Sequence, residues 1–131
     1  MNSDYLFVYG TLQNNLDNDM SKFLSIHAIF ISRGYFHGKL YRVSWFPGAI
    51  TSINGSNKVY GSIFKLKNPE TVFSVLDDYE GVGENHSKPN LYKRQIVKAY
   101  VEDGTVLQSW VYIYNHKIAH LEQIISGDFL K

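Results

Sequence analysis

The chain has 131 residues, with 13 Lys plus Arg against 12 Asp plus Glu, and it has no cysteine. This length predicts one domain over residues 1–131, large enough to bury a core. The missing cysteine excludes disulfides, thiolate catalysis and thiolate metal sites. The near-neutral charge without a basic stripe argues against nucleic acid, and no apolar run or leader pattern suggests a membrane segment. We therefore expect a cytoplasmic protein without nucleic acid or a membrane as partner.

The first predicted element is a strand over the apolar run Tyr5 to Tyr9, ended by Gly10. A continuous aromatic and β-branched run of this length is typical of a strand buried on both faces. At Gly10 the missing Cβ would let a ligand approach the backbone and allow positive φ, so that neighbouring N–H groups converge on one oxygen. The alternative is a core strand that ends in an ordinary turn.

A short helix is predicted from about Asp19 to Ser25, with Asn18 as a possible N-cap. A long β segment over 28–43 follows, interrupted by Gly34 and Gly38. Isolated glycines in strand patterns suggest bulges or sharp bends, which curl a sheet toward closure.

The segment Trp45-Phe46-Pro47-Gly48 predicts a turn, because Pro-Gly suits the two central positions of a type II turn. Its two aromatic side chains would either cap the core or form the wall of a pocket. The pattern leaves both possibilities open.

A further strand is predicted over 59–66, with Gly61 as a bulge. Asn68 and Pro69 then mark a helix start, because Asn suits the N-cap and Pro the first helical position. The helix should run from Pro69 to about Glu80 and end at Gly81, a typical C-terminal glycine.

Glu80 lies on the apolar face of this predicted helix, whereas Asp77 and Asp78 point away from the centre of that face. Burial and the negative end of the helix dipole would both raise its pKa, which is how a carboxylate becomes a general base near neutral pH. The alternative is that Glu80 reaches solvent, or pairs with Arg94 or a lysine.

Residues 81–91 predict a loop, and two strands over 92–101 and 105–114 predict a hairpin joined at Asp103-Gly104. A short helix is predicted from Ile118 to Ser126. About six strands with two or three short helices indicate an α+β fold, most simply a small, partly closed β-barrel with helices outside.

Two histidines, His116 and His120, have the i, i+4 spacing of a helical metal pair. The glutamate of metalloprotease motifs is missing between them, and no third ligand is evident, so no metal site is predicted.

Taken together, three motifs resemble those of the gamma-glutamylcyclotransferase-like superfamily: Val8-Tyr9-Gly10-Thr11-Leu12, then Leu76-Asp77-x-x-Glu80-Gly81, then Tyr92-x-Arg94. The similarity is greatest to the branch with gamma-glutamylamine cyclotransferases and the butirosin-pathway cyclotransferase. Residues 111–115 and 126–128 also resemble that branch. The resemblance spans nearly the whole chain, with the motifs in the expected order.

This resemblance implies a small mixed β-barrel with flanking helices and a cyclotransferase that uses no cofactor. The substrate's own α-amine would attack the γ-carbonyl of a γ-glutamyl amide and release 5-oxoproline and a free amine. Glu80 would take a proton from the α-ammonium and later protonate the leaving amine. The resemblance implies that a backbone segment binds the γ-glutamyl group and stabilises the oxyanion through its N–H groups; this segment is Tyr9, Gly10, Thr11 and Leu12. It also implies three further substrate-binding residues, Tyr92, Arg94 and Tyr114. Arg94 would bind the substrate α-carboxylate or support Glu80.

Two other functions fit the same residues. One is a non-catalytic barrel that binds a small ligand. The other is a protein-interaction module that uses Trp45, Phe46 and the 81–91 loop. The identity of the leaving amine and the oligomeric state are left open by the sequence.

Overall fold

The computed structural model describes residues 3–10, 19–52, 56–84, 86 and 88–129. In chain order the elements are β1 (Tyr5–Val8), α1 (Asp19–His27), β2 (Ala28–Arg42), β3 (Pro47–Thr51), β4 (Lys58–Leu66), α2 (Pro69–Tyr79), β5 (Tyr92–Val101), β6 (Val106–Tyr114) and β7 (Glu122–Gln123). The predicted cap Asn18 and the predicted site residues Thr11 and Leu12 lie outside the described residues. Neither described helix is long and apolar enough to cross a membrane.

Five strands form a closed barrel in the order β2-β4-β1-β6-β5, which confirms the predicted α+β barrel. The barrel closes because β5 pairs with β2 at Gly34↔Val101 and Tyr35↔Tyr100. β1 runs antiparallel to β4 and parallel to β6, so the sheet is mixed. The long strand β2 extends past the barrel, where β3 and β7 pair with it.

The bulges predicted at the strand glycines are wrong, because Gly34, Gly38 and Gly61 keep regular pairing. The register of β2 against β4 shifts between Phe30 and Ser32 instead. A Cβ at Gly34 would lie 2.5 Å from the Tyr100 carbonyl oxygen, and one at Gly61 would collide with the Val8 carbonyl oxygen. These glycines therefore let neighbouring strands approach closely.

Two apolar clusters occupy opposite faces of the strands. The barrel interior holds Phe7, Phe36, Val59, Ile63 and Val111, among others. The outer cluster packs alternate residues of β1 and β6 against both helices and includes Leu6, Leu24, Leu76 and Tyr112. β1 is thus buried on both faces, as its continuous apolar run predicted.

Helix α2 begins and ends where the sequence predicted. Pro69 occupies the first turn and Asn68 the N-cap position, although the Asn68 side chain makes no capping hydrogen bond. At the other end Glu80 is the C-cap residue, and Gly81 has a φ of 75°, which explains the glycine.

The predicted turn centred on Pro47-Gly48 is wrong. These two residues begin β3, opposite Arg42 and Tyr41 of β2. The chain reverses one step earlier, where the Phe46 carbonyl accepts hydrogen bonds from the N–H groups of Val43 and Ser44. A Cβ at Gly48 would lie 2.8 Å from the Tyr114 ring, so this glycine accommodates an aromatic neighbour.

The helix predicted from Ile118 to Ser126 is also wrong. Instead Glu122–Gln123 forms β7 against β2, and the Ile124 N–H donates to the Leu40 carbonyl. The open edge of the extended β2 offers backbone partners there, and this tertiary pairing overrides the local helical pattern. The segment ends at Gly127, which has a φ of 72°.

Candidate active site

A cavity of about 250 Å³ opens between the end of β1, the turn before β3 and the end of α2. It contains a carboxylate and is otherwise lined mainly by aromatic and aliphatic groups. The lining residues are Phe7, Val8, Tyr9, Gly10, Trp45, Phe46, Pro47, Tyr79, Glu80, Gly81, Leu91, Tyr92 and Tyr112. Two separate predicted motifs, the end of β1 and the end of α2, therefore meet at one site.

The hydroxyl of Tyr9 ties together three strands at the cavity floor. It donates to the Tyr112 carbonyl at 2.6 Å and accepts from the Ala49 N–H at 3.1 Å. Because both partners are buried backbone groups, the ring is fixed in place. Burial also raises the pKa of Tyr9, so the hydroxyl stays neutral.

Gly10 lines the cavity next to Tyr9, but the reason for a glycine differs from the prediction. Gly10 does not adopt positive φ. A Cβ at this position would lie 2.9 Å from Cγ of Pro47, so the glycine makes room for the start of β3. The close approach seen at Gly10 is therefore that of a proline ring of the same chain.

Glu80 is half-buried and lines the cavity from the end of α2. Burial raises its pKa from 4.5 to about 7. Within the described part of the chain no basic side chain forms an ion pair with Glu80, so the alternative pairing with Arg94 or a lysine is not observed. A carboxylate of this kind can both accept and donate a proton near neutral pH.

Arg94 binds Asp77 instead. Its Nε and Nη2 donate to the two carboxylate oxygens of Asp77 at 2.9 and 3.2 Å. The guanidinium carbon lies 4.0 Å from the Phe73 ring centre and 4.6 Å from that of Trp110. Such a stacked and doubly hydrogen-bonded arginine is strongly held in place.

The position of Asp77 was not predicted from the sequence pattern. Asp77 also accepts a hydrogen bond from the Tyr112 hydroxyl at 2.7 Å, and Tyr112 lines the cavity. The helical pattern placed Asp77 away from the apolar face, but it is half-buried against β5 and β6. One sequence signal could have indicated this position. Asp77 lies one helical turn before Glu80, and the next predicted strand carries Arg94 as a possible partner.

The other two predicted site tyrosines, Tyr92 and Tyr114, lie one behind the other. Tyr92 lines the cavity and donates its hydroxyl to the Pro47 carbonyl at 2.6 Å. Tyr114 packs behind it, with the two ring centres 6.0 Å apart, and is not among the lining residues.

Trp45 and Phe46 line the cavity, which confirms the pocket-wall interpretation of this aromatic pair. Phe46 also packs against the outer apolar cluster, whereas the Trp45 side chain is 71% exposed.

The histidine pair does not form a metal site in the structure. The Nε2 atom of His116 lies 3.1 Å from the Pro89 carbonyl oxygen, and the segment that carries His120 is not helical. Among the residues that the structure describes, no three His, Cys, Asp or Glu side chains are grouped to hold a metal ion.

The fold and the site define a small closed-barrel protein with a mainly apolar cavity of about 250 Å³ that contains the carboxyl group of Glu80. The family model described as "Gamma-glutamyl cyclotransferase, AIG2-like" matches residues 6–131. The chain belongs to this family, which confirms the resemblance drawn from its motifs.

Comparison with individual proteins leads to the same family and fold. The chain is 25% identical over 125 residues to the gamma-glutamylcyclotransferase family protein YtfP of Escherichia coli K12, covering 95% of both chains. It is similar to the crystal structure of an AIG2-like protein from Mus musculus, with a TM-score of 0.69, 25% identity, and 91% of this chain and 84% of that chain covered. A uropathogenic E. coli-specific protein has the same fold, with a TM-score of 0.69 and 21% identity, and the match covers 98% of this chain and 94% of that chain.

Proposed function

We propose that the protein is a gamma-glutamyl cyclotransferase that releases 5-oxoproline and a free amine from a small γ-glutamyl amide, without a cofactor. The observation that carries this proposal is Glu80, a carboxylate with a pKa of about 7 in a largely apolar cavity. Family membership supports the same reaction class.

The reaction moves two protons from one nitrogen to another. Glu80 takes a proton from the substrate α-ammonium, and the neutral amine attacks the γ-carbonyl carbon, whose π electrons move to oxygen. Protonated Glu80 then gives its proton to the amide nitrogen, and the carbon–nitrogen bond breaks as the carbonyl re-forms. The second proton leaves the new ring nitrogen for the released amine, which gives neutral lactam nitrogen and an ammonium product.

A group that serves both steps must lose and regain a proton in one cycle. A pKa near 7 suits that task, because neither form of the carboxyl group is strongly disfavoured at neutral pH. Attack within one molecule requires correct positioning more than a strong nucleophile, so the cavity walls supply much of the catalysis.

The glutamyl group of the substrate is assigned to the end of β1, where Tyr9 and Gly10 line the cavity beside Glu80. Thr11 and Leu12 continue this proposed segment. Tyr92 is proposed to shape the wall against the substrate and Tyr114 to support Tyr92. For Arg94, the double hydrogen bond to Asp77 favours a supporting role at α2 over direct binding of the substrate α-carboxylate.

The test is 5-oxoproline release from a panel of γ-glutamyl amides, by wild type and by Glu80→Gln. We expect release by wild type and a loss of at least about 10²-fold in the variant, as for removal of a general acid–base group. Glu70→Gln is the matched control, because Glu70 lies exposed in the first turn of the same helix. It should retain wild-type activity.

Three other results would contradict parts of the proposal. Equal release by wild type and Glu80→Gln would remove Glu80 from the mechanism. Saturable binding of γ-glutamyl amides without release would indicate a binding barrel. Failure of the whole panel to bind or react would overturn the proposed function.

A further inference from the structure

The open end of the cavity is aromatic. Three of its lining residues, Trp45, Phe46 and Tyr79, are here called the aromatic rim. Trp45 is 71% exposed in the turn between β2 and β3, and Tyr79 is 42% exposed at the last residue of α2. The Phe46 ring stands edge-on to the Trp45 ring, with centres 5.1 Å apart at 79°.

The part of the cavity at the end of β1 is buried. Phe7, Val8 and Tyr9 line it and are buried, with exposed fractions of 1, 3 and 6%. The cavity therefore has a direction, from a buried floor at the end of β1 to a rim that faces solvent.

This direction orients the substrate. Under the proposed function the glutamyl group, which is common to all substrates, lies at the end of β1 beside Glu80. The amide nitrogen must lie within reach of Glu80, so the group attached to that nitrogen extends toward the open end. The leaving amine is consequently the part of the substrate that meets the aromatic rim.

The core does not require the exposed rings of the rim. The indole of Trp45 leaves most of its surface in water, where an apolar ring has no stabilising burial of its own. Phe46 packs against Trp45, and the centre of its ring lies 6.4 Å from that of Tyr92. Phe46 therefore links Trp45 to the core. This support holds the indole at the mouth, with apolar surface available to a ligand.

We infer that the preferred substrates are γ-glutamyl amides whose leaving amine carries an apolar aromatic group, held against Trp45 and Tyr79. This inference rests on the proposed function. Aromatic rings pack well against other rings in edge or offset geometry and contribute large buried areas. A carboxylate on the leaving amine would instead lose hydration against apolar rings, which disfavours γ-glutamyl amino acids.

The experiment compares kcat/KM for four purified substrates with the same glutamyl group. These are the γ-glutamyl amides of methylamine, 2-phenylethylamine, glycine and 1,4-diaminobutane, which present a small, an aromatic, an anionic and a cationic leaving group. We expect the phenylethylamide to exceed the methylamide by about tenfold or more, because it buries a ring at the rim.

The role of the rim is tested with Trp45→Ala. The phenylethylamide-to-methylamide ratio of kcat/KM should fall by about 5-fold to 10-fold, mainly through a higher KM for the phenylethylamide. Tyr60→Ala is the matched control, because Tyr60 is an exposed aromatic residue that does not line the cavity. It should leave the ratio unchanged.

The inference and the proposed function fail in different ways. Release from the methylamide with no preference for the phenylethylamide, or a ratio unaffected by Trp45→Ala, would overturn the inference and leave the function standing. Preference for the diaminobutane amide would overturn it in favour of cation recognition by the ring faces. Release from none of the four would overturn the function and the inference together.

Discussion

The carboxylate of Asp77 accepts two hydrogen bonds from Arg94, at 2.9 and 3.2 Å, across 17 residues of sequence. The pair joins the end of α2 to β5, one helical turn before Glu80. Both side chains are about a quarter exposed, so water only partly solvates the two charges. The pair therefore fixes the helix end that carries the proposed catalytic group.

Removing either partner should destabilise the protein. Asp77→Ala leaves the Arg94 charge and the Tyr112 hydroxyl unpaired, and Arg94→Met leaves the Asp77 charge unpaired. We expect each variant to lose about 2–3 kcal/mol in the free energy of unfolding, less than for a fully buried pair because of partial solvation. The double variant should lose less than the sum, with a coupling of about 1–2 kcal/mol. Urea denaturation of the four proteins measures this cycle, and additive losses would show that the two residues act independently.

Glu80 should make stability fall as pH rises. Its pKa is raised from 4.5 in the unfolded chain to about 7 in the folded protein, so the folded state binds the proton more tightly. The favourable effect of the protonated form is fully present below about pH 4.5 and is lost as pH rises through about 7. Relative to Glu80→Gln, the free energy of unfolding of wild type should decrease by up to about 3 kcal/mol between these two pH values.

Urea denaturation from pH 4 to pH 8 checks this linkage. A difference between wild type and Glu80→Gln that is independent of pH would show that Glu80 is not desolvated by the fold.

The same group should shape the pH dependence of activity. If ionised Glu80 takes the proton from the α-ammonium, kcat/KM should decrease tenfold per pH unit on the acid side of about pH 7. The residual activity of Glu80→Gln should lack this acid limb. Initial rates of 5-oxoproline release at low substrate concentration measure the profile. An acid limb centred near pH 4.5 would mean that Glu80 works in a water-like environment.

Tyr9→Phe should cost more stability than Tyr92→Phe. The Tyr9 hydroxyl satisfies two buried backbone groups, at Ala49 and Tyr112, whereas the Tyr92 hydroxyl satisfies one, at Pro47. We expect losses of about 2–4 kcal/mol and about 1–2 kcal/mol respectively, since each unpaired buried group carries its own desolvation cost. Thermal and urea unfolding of both variants test this order, and equal losses would contradict it.

Two glycines should respond differently to alanine. In Gly61→Ala the new Cβ would collide with the Val8 carbonyl and lie 2.8 Å from the Phe7 ring, so β4 could not keep its distance from β1. In Gly81→Ala nothing lies within 4 Å of the new Cβ, and only the positive φ is strained. We expect a loss of about 1–2 kcal/mol at Gly81 and a larger loss, or failure to fold, at Gly61. A smaller effect at Gly61 would show that the strands can separate without cost.

Local patterns predicted the elements that depend on local chemistry. The apolar run of β1, the Asn68-Pro69 start of α2, its glycine end and the Asp103-Gly104 turn are all present. Each arises from a preference within a few residues, such as the left-handed backbone at Gly81 and Gly104.

The errors occurred where a distant strand competes with a local preference. The helix pattern over 118–126 gives way to β7, because β2 extends beyond the barrel and its edge must pair. Likewise Pro47-Gly48 joins β2 as a strand. In both places pairing with β2 supplies backbone hydrogen bonds that an isolated segment does not have.

The sequence alone therefore determined the order and type of most elements, the family and the placement of Glu80 on an apolar helix face. Only the tertiary structure decided that Arg94 pairs with Asp77, that the strand glycines face carbonyl groups, and that the aromatic rim lines the same cavity as Glu80. The physical reason is distance along the chain. Periodicity and capping act within about one or two helical turns. Closure of the barrel depends instead on contacts between strands that are distant in sequence, which together bury both faces of β1.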